Sequence, residues 1–123
     1  MLPSAETVNA RIRDALEELK AKDVREIDVR GRAGFTDTLF IASGTSSRHV
    51  KAIADEVQKQ VKDAGLPPIG VEGEREAEWV LVDFGDAVVH VFLPRVREFY
   101  ALERLWSADG DAPMASDEGE PAR

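Results

Sequence analysis

The stretch Glu78-Trp79-Val80-Leu81-Val82-Asp83-Phe84-Gly85-Asp86-Ala87-Val88-Val89-His90-Val91-Phe92-Leu93 is the densest apolar run in the chain. Its two clusters, Trp79 to Val82 and Ala87 to Phe92, read as buried strands, and Gly85-Asp86 between them is a turn signal. Strands this uniformly apolar need cover on both faces, which predicts a sheet with helices packed against it. Trp79, Asp83, Asp86 and His90 sit at the rim of this hairpin, where function is to be sought.

Upstream of the hairpin, Glu74 to Glu78 reads as a solvated acidic connector, and Ile69 to Gly73 as a short edge strand. Before these, Val50, Ile53, Ala54, Val57 and Val61 recur at helical spacing, with Gly65 and Pro67-Pro68 as the stop. Asp37 to Ser43 is apolar enough for a central strand. Asp23 to Arg30 alternates in its second half, with Ile27 and Val29 on one side, as a half-exposed strand does, until Gly31 and Gly34 break it. At the start, Ser4 can cap a helix carrying Val8, Ile12, Leu16 and Leu19 on one face.

Downstream, Pro94 suits a first helical position, and Val96, Phe99 and Leu102 continue at helical spacing to Trp106. From Asp109 the composition turns to Asp, Glu, Gly, Pro, Ala and Ser. Five acids against Arg123 give this tail −4 of the chain's −8, the pattern of a disordered segment. The order predicts an α/β domain over residues 1–108, a mixed sheet flanked by helices, followed by an acidic tail over 109–123. The second strand, its helix and the next strand form a crossover.

The totals narrow the function. A chain of 123 residues holds one domain, with no room for separate catalytic and binding domains. No apolar run approaches the roughly 20 residues of a membrane span, and no leader is visible, so a cytoplasmic location is expected. Cysteine is absent, which removes disulfides, thiolate zinc sites and a cysteine nucleophile. A net charge of −8 opposes binding by neutralisation of phosphates, but suits docking on a basic protein.

Several constellations invite chemistry. Asp83 and Asp86 across the turn, with Asp37 or His90, could hold magnesium beside the Gly44-Thr45-Ser46 turn, as in a nucleotide-binding or nucleotidyltransfer enzyme. Turn chemistry alone also accounts for both aspartates. The turn before the Val50 helix could bind an anion, but it lacks the spacing and lysine of a P-loop, and simple capping by Ser46 or Ser47 is the favoured reading. His90 among valines is the pattern of a hydrogen-bonded structural histidine, and a Ser43, His90 and Asp83 triad has no spacing to favour it. Trp79, Tyr100 and Trp106 stand beside Glu72, Glu74, Glu76, Glu78, Glu98 and Glu103. Aromatics ringed by carboxylates are the composition of an interface anchor for a basic partner.

Four blocks in order, Asp37-Thr38 with Phe40 to Val50, Gly70 to Gly73, Trp79 to Phe92 and Arg97 to Trp106, resemble the ribosomal silencing factor family, also called RsfS or Iojap. The likeness runs from about Ser4 to Trp106. It implies a fold similar to nucleotidyltransferases, although no Asp-x-Asp pair follows the Gly44 turn, and a translation repressor rather than an enzyme, with no cofactor and no metal. By this resemblance the partner is the fourteenth protein of the large (50S) subunit, on the face that meets the small subunit, and binding there blocks subunit joining, chiefly when nutrients are short. The implied contact surface comprises Trp79, Asp83, Tyr100, Leu102, Glu103 and Trp106. Neither membrane binding nor direct sequence-specific reading of nucleic acid is expected. The free chain is a candidate homodimer.

Overall fold

In the computed structural model, which describes residues 2–32, 34 and 36–100, the apolar stretch folds as an antiparallel hairpin. Strand β4 (Trp79–Asp83) pairs with β5 (Ala87–Phe92), Trp79 opposite Phe92 and Asp83 opposite Val88. The remaining elements are α1 (Ala5–Glu18), β1 (Lys22–Asp28), β2 (Thr38–Ser43), α2 (Ser47–Asp63), β3 (Gly70–Glu72) and α3 (Pro94–Tyr100). The five strands lie in the order β1-β2-β5-β4-β3. Only the β2 and β5 neighbours are parallel; the other pairs are antiparallel.

This order refines the expected crossover. Strand β3 runs in the direction of β2, as a crossover requires, yet the hairpin β4–β5 is inserted between them. The most apolar strands, β2 and β5, therefore occupy the middle of the sheet, where burial returns most stabilisation. The short, glycine-containing β3 takes one edge.

Alternation along the strands sends Phe40, Ala42, Val80, Val82, Val89 and Val91 to one face, where they pack with Val8, Ile12 and Leu16 of α1 and Val50, Ile53, Ala54, Val57 and Val61 of α2. The five α2 residues marked by helical spacing are all fully buried. The opposite face gathers Leu39, Ile41, Val88 and Phe92 with Trp79 and Leu81. Among the described residues, cover there comes from Val96, in the first turn of helix α3, and from Val29, in the loop after β1.

Strand β1 starts one residue earlier than expected and ends two earlier, at Asp28. A register shift between Lys22 and Arg25, with Asp23 at φ 49°, is a bulge that alternation does not reveal. Val29 then leaves the strand and is buried. The connector is also less solvated than expected. It closes as a turn in which the Ala77 N–H donates to the Gly73 carbonyl at 3.0 Å. Ala77 is buried in the main core, and Glu74 accepts a hydrogen bond from Gln58. Gly73 is required there twice over: its φ is +87°, and a Cβ would strike the carbonyl oxygen of Trp79.

Helix α2 begins where β2 ends. Ser46 is its N-cap, its Oγ accepting the His49 N–H at 3.1 Å. Ser46→Ala is expected to cost about 1 kcal/mol, read as a lower urea midpoint at unchanged slope. Gly44 just before it admits the helix: a Cβ there would lie 2.8 Å from Val50 Cγ2 and 2.9 Å from Val50 N.

Candidate partner-binding site

Register aligns the side chains of the face turned away from α1 and α2. One row runs Glu72, Leu81, His90, Ile41, Arg25 across the sheet, and the next pairs Trp79 with Phe92 and Phe92 with Ser43. Trp79, Leu81 and Asp83 share this face of β4, and all three are half-buried. Trp79 is the largest side chain among them. The Gly73–Ala77 turn delivers it to the first position of β4, and the Glu78 carbonyl beside it accepts the Leu93 N–H at 3.0 Å.

The indole N–H of Trp79 donates to His90 Nδ1 at 2.9 Å. Among the described residues Phe92 joins them, 5.5 Å from Trp79 and 6.2 Å from His90 between ring centroids. These separations are within the range of favourable aromatic contact. Because Nδ1 accepts, the ring proton of His90 is on Nε2. Burial holds the imidazole down to about 4, against an ordinary 6.5, so it is neutral at physiological pH.

That depression sets a pH dependence. Between pH 6.5 and about 4 the unfolded chain takes up a proton that folded His90 refuses, so this share of stability is complete above 6.5 and is lost on acidification toward 4. The loss is about 3 kcal/mol across that window. Urea midpoints measured from pH 7 to 4 are expected to fall more steeply for the native sequence than for His90→Gln, which lacks the group.

The other candidates separate. Asp83 Oδ1 accepts the Gly85 N–H at 2.8 Å, a turn role. Asp86 is exposed, and its carbonyl accepts the N–H groups of Asp37 and Thr38, tying the hairpin turn to the start of β2. Among the described residues no group of three or more His, Asp and Glu side chains is placed to hold a metal ion. Ser43, His90 and Asp83 form no triad: Ser43 Oγ accepts from Arg97 at 2.9 Å, and the other two are engaged as above. The turn before α2 is closed on itself, since the Thr45 N–H donates to His49 Nδ1 and the His49 N–H to Ser46. His49 Nε2 in turn donates to the Leu19 carbonyl at 2.7 Å, joining the end of α1 to the start of α2.

Tyr100 ends α3, while Leu102, Glu103 and Trp106 lie outside the described residues. Leu81 and the buried Arg97 were not singled out from sequence. Alternation from Trp79 would have put Leu81 on the same face. Arg97 carries no such signal, because its partner Ser43 is brought to it by the β2–β5 pairing. No helix among the described residues is long and apolar enough to cross a membrane.

The class defined by this fold and site is a mixed α/β domain that packs α1 and α2 on one face of its sheet and brings Trp79, His90 and Phe92 together on the other. The chain belongs to the family described as "Ribosomal silencing factor during starvation", whose model matches residues 3–123. This is the family its sequence blocks resemble. A relative from Chromobacterium violaceum named ribosomal silencing factor RsfS is 47% identical over 93 residues, 76% of each chain. A crystal structure of a protein from that organism superposes with a TM-score of 0.82 at 42% identity, covering 85% of this chain and 87% of the other. A mouse protein named "Mitochondrial assembly of ribosomal large subunit protein 1" is 38% identical over 95 residues, 75% of this chain and 42% of its own length.

Proposed function

We propose that this chain is a cytoplasmic translational repressor that binds the large ribosomal subunit and blocks joining of the small subunit, chiefly under nutrient limitation. Its docking partner is the fourteenth large-subunit protein, on the intersubunit face. The contact surface is Trp79, Asp83, Tyr100, Leu102, Glu103 and Trp106. The repressing unit is residues 1–108, and 109–123 is an acidic appendage. Repression by occupancy needs no cofactor and no catalysis.

The observation that carries this reading is the half-buried Trp79, packed with His90 and Phe92 on the sheet face that α1 and α2 leave to other contacts. A large aromatic that is half-buried is the usual anchor of a protein interface. Glu72 and Asp83 on the same face, in a chain of net charge −8, favour encounter with a basic surface. Membership of a family described by ribosomal silencing, and a relative named for the large ribosomal subunit, support the choice of partner.

The test is sedimentation of the full chain with isolated large subunits, followed by light scattering as small subunits are added. Cosedimentation and slowed joining are expected. A chain that stays at the top of the gradient at micromolar concentration would overturn the proposal.

A further inference from the structure

We infer that His90 is a positioning residue for the partner contact: by accepting the single N–H of Trp79 it fixes the indole on Phe92 and presents it as an aromatic surface with no donor left to offer. This rests on the proposed role of Trp79 as the anchor.

Indole carries one polar hydrogen and no acceptor. Here that hydrogen is directed across the strand pair to His90 Nδ1 at 2.9 Å, not outward. The acceptor is well suited to its place. It projects from β5, a central strand, in the row adjoining that of Trp79 and Phe92, with the half-buried Leu81 directly opposite on β4 and the fully buried Ile41 on β2. The histidine ring lies 24° from coplanar with Phe92, so it is held on two sides and supplies a fixed acceptor. Every neighbouring β5 side chain from Ala87 to Phe92 is aliphatic or phenyl, so His90 alone on that strand can accept a hydrogen bond.

Two consequences follow for recognition. The indole is held before the partner arrives, so less rotamer freedom is lost on binding. The matching surface on the partner must be one that an aromatic face or edge satisfies without a donor, that is, aliphatic side chains or the guanidinium of an arginine stacked on the ring. A carbonyl or phosphate aimed at Trp79 would find its donor already used. This matches a basic protein surface rather than an RNA backbone as the group seated on Trp79.

The experiment compares His90→Val and His90→Gln for affinity to isolated large subunits, each also in a Trp79→Phe background, and follows hydrogen exchange of the Trp79 indole N–H by NMR. That resonance is identified by its disappearance in Trp79→Phe. The valine substitution extends a run of valines in β5, and the glutamine substitution keeps an oxygen acceptor. His90→Val is expected to bind roughly three- to tenfold more weakly, the range of one net hydrogen bond. His90→Gln should recover most of that loss, and in the Trp79→Phe background His90→Val should change nothing further. The indole N–H should be protected in the native chain and exchange freely in His90→Val. Equal losses in both backgrounds, or no loss from His90→Val, would overturn the inference, because a general packing role does not depend on the Trp79 N–H. Failure of the native chain to bind subunits overturns the anchor reading, whereas an unprotected indole N–H overturns the positioning role whatever the subunits do.

Discussion

Trp79→Ala is expected to weaken binding to isolated large subunits by about 2–4 kcal/mol, roughly 30- to 900-fold, which would remove cosedimentation at micromolar concentration. The magnitude follows from the residue's place. It is the largest side chain on its face of β4, it is packed on Phe92 and bonded to His90, and truncation removes the ring while leaving a hollow beside them. The loss of half-buried area also costs some fold stability, less than the several kcal/mol of a fully enclosed tryptophan. Far-UV circular dichroism and urea unfolding separate the two effects. A folded variant that still travels with large subunits would remove Trp79 from the contact surface.

The largest loss of stability is expected from Phe40→Ala. Phe40 is fully buried on β2, between β1 and β5, and its ring faces the core formed by both long helices. Deleting a buried phenyl ring forfeits its transfer free energy and leaves a cavity that a sheet bonded on both sides does not close, about 3–5 kcal/mol in all. Small domains hold only about 5–15 kcal/mol in total. The variant should therefore show a much reduced urea midpoint at unchanged slope; a shift below about 1.5 kcal/mol would show that the helices collapse onto the vacated space.

What was legible in the sequence was whatever a local period encodes. The α2 stripe from Val50 to Val61 is buried residue by residue, and the hairpin about Gly85-Asp86 forms at the expected place. The short β3 is an edge strand, as its glycines indicate. What was not legible depends on pairing between distant segments. The bulge at Asp23 costs β1 its alternation, and Val29, which continues the apolar alternation of Ile27, is a loop residue packed on the sheet. Ala77 was hidden among glutamates, although a small residue in the Gly73 turn is what the core admits there.

The site was partly legible for the same reason. Trp79 could be marked by size and by its acidic neighbours, while His90 could be marked only as an interruption of valines. Their bond follows from register: with Leu81 opposite His90 and Trp79 opposite Phe92, the two rings fall on one face in adjoining rows. The apparent active-site groups separate on the same physical ground, because Asp83 turns back to Gly85 and Ser43 is met by Arg97.

The parallel pairing of β2 with β5 bears on how the chain acquires this shape. Thr38 meets Ala87 and Ser43 meets Phe92, so the centre of the sheet is sealed by partners far apart along the polymer, with all of α2, β3 and β4 emerging in between. Loop-closure entropy opposes such contacts until late, and folds dominated by them assemble slowly. During synthesis β2 can pair with β1 at once, but its other edge, Thr38 to Ser43, stays open until β5 is available. For that interval the nascent chain carries an apolar strand edge open to mispairing, and only the arrival of Ala87 to Phe92 closes it.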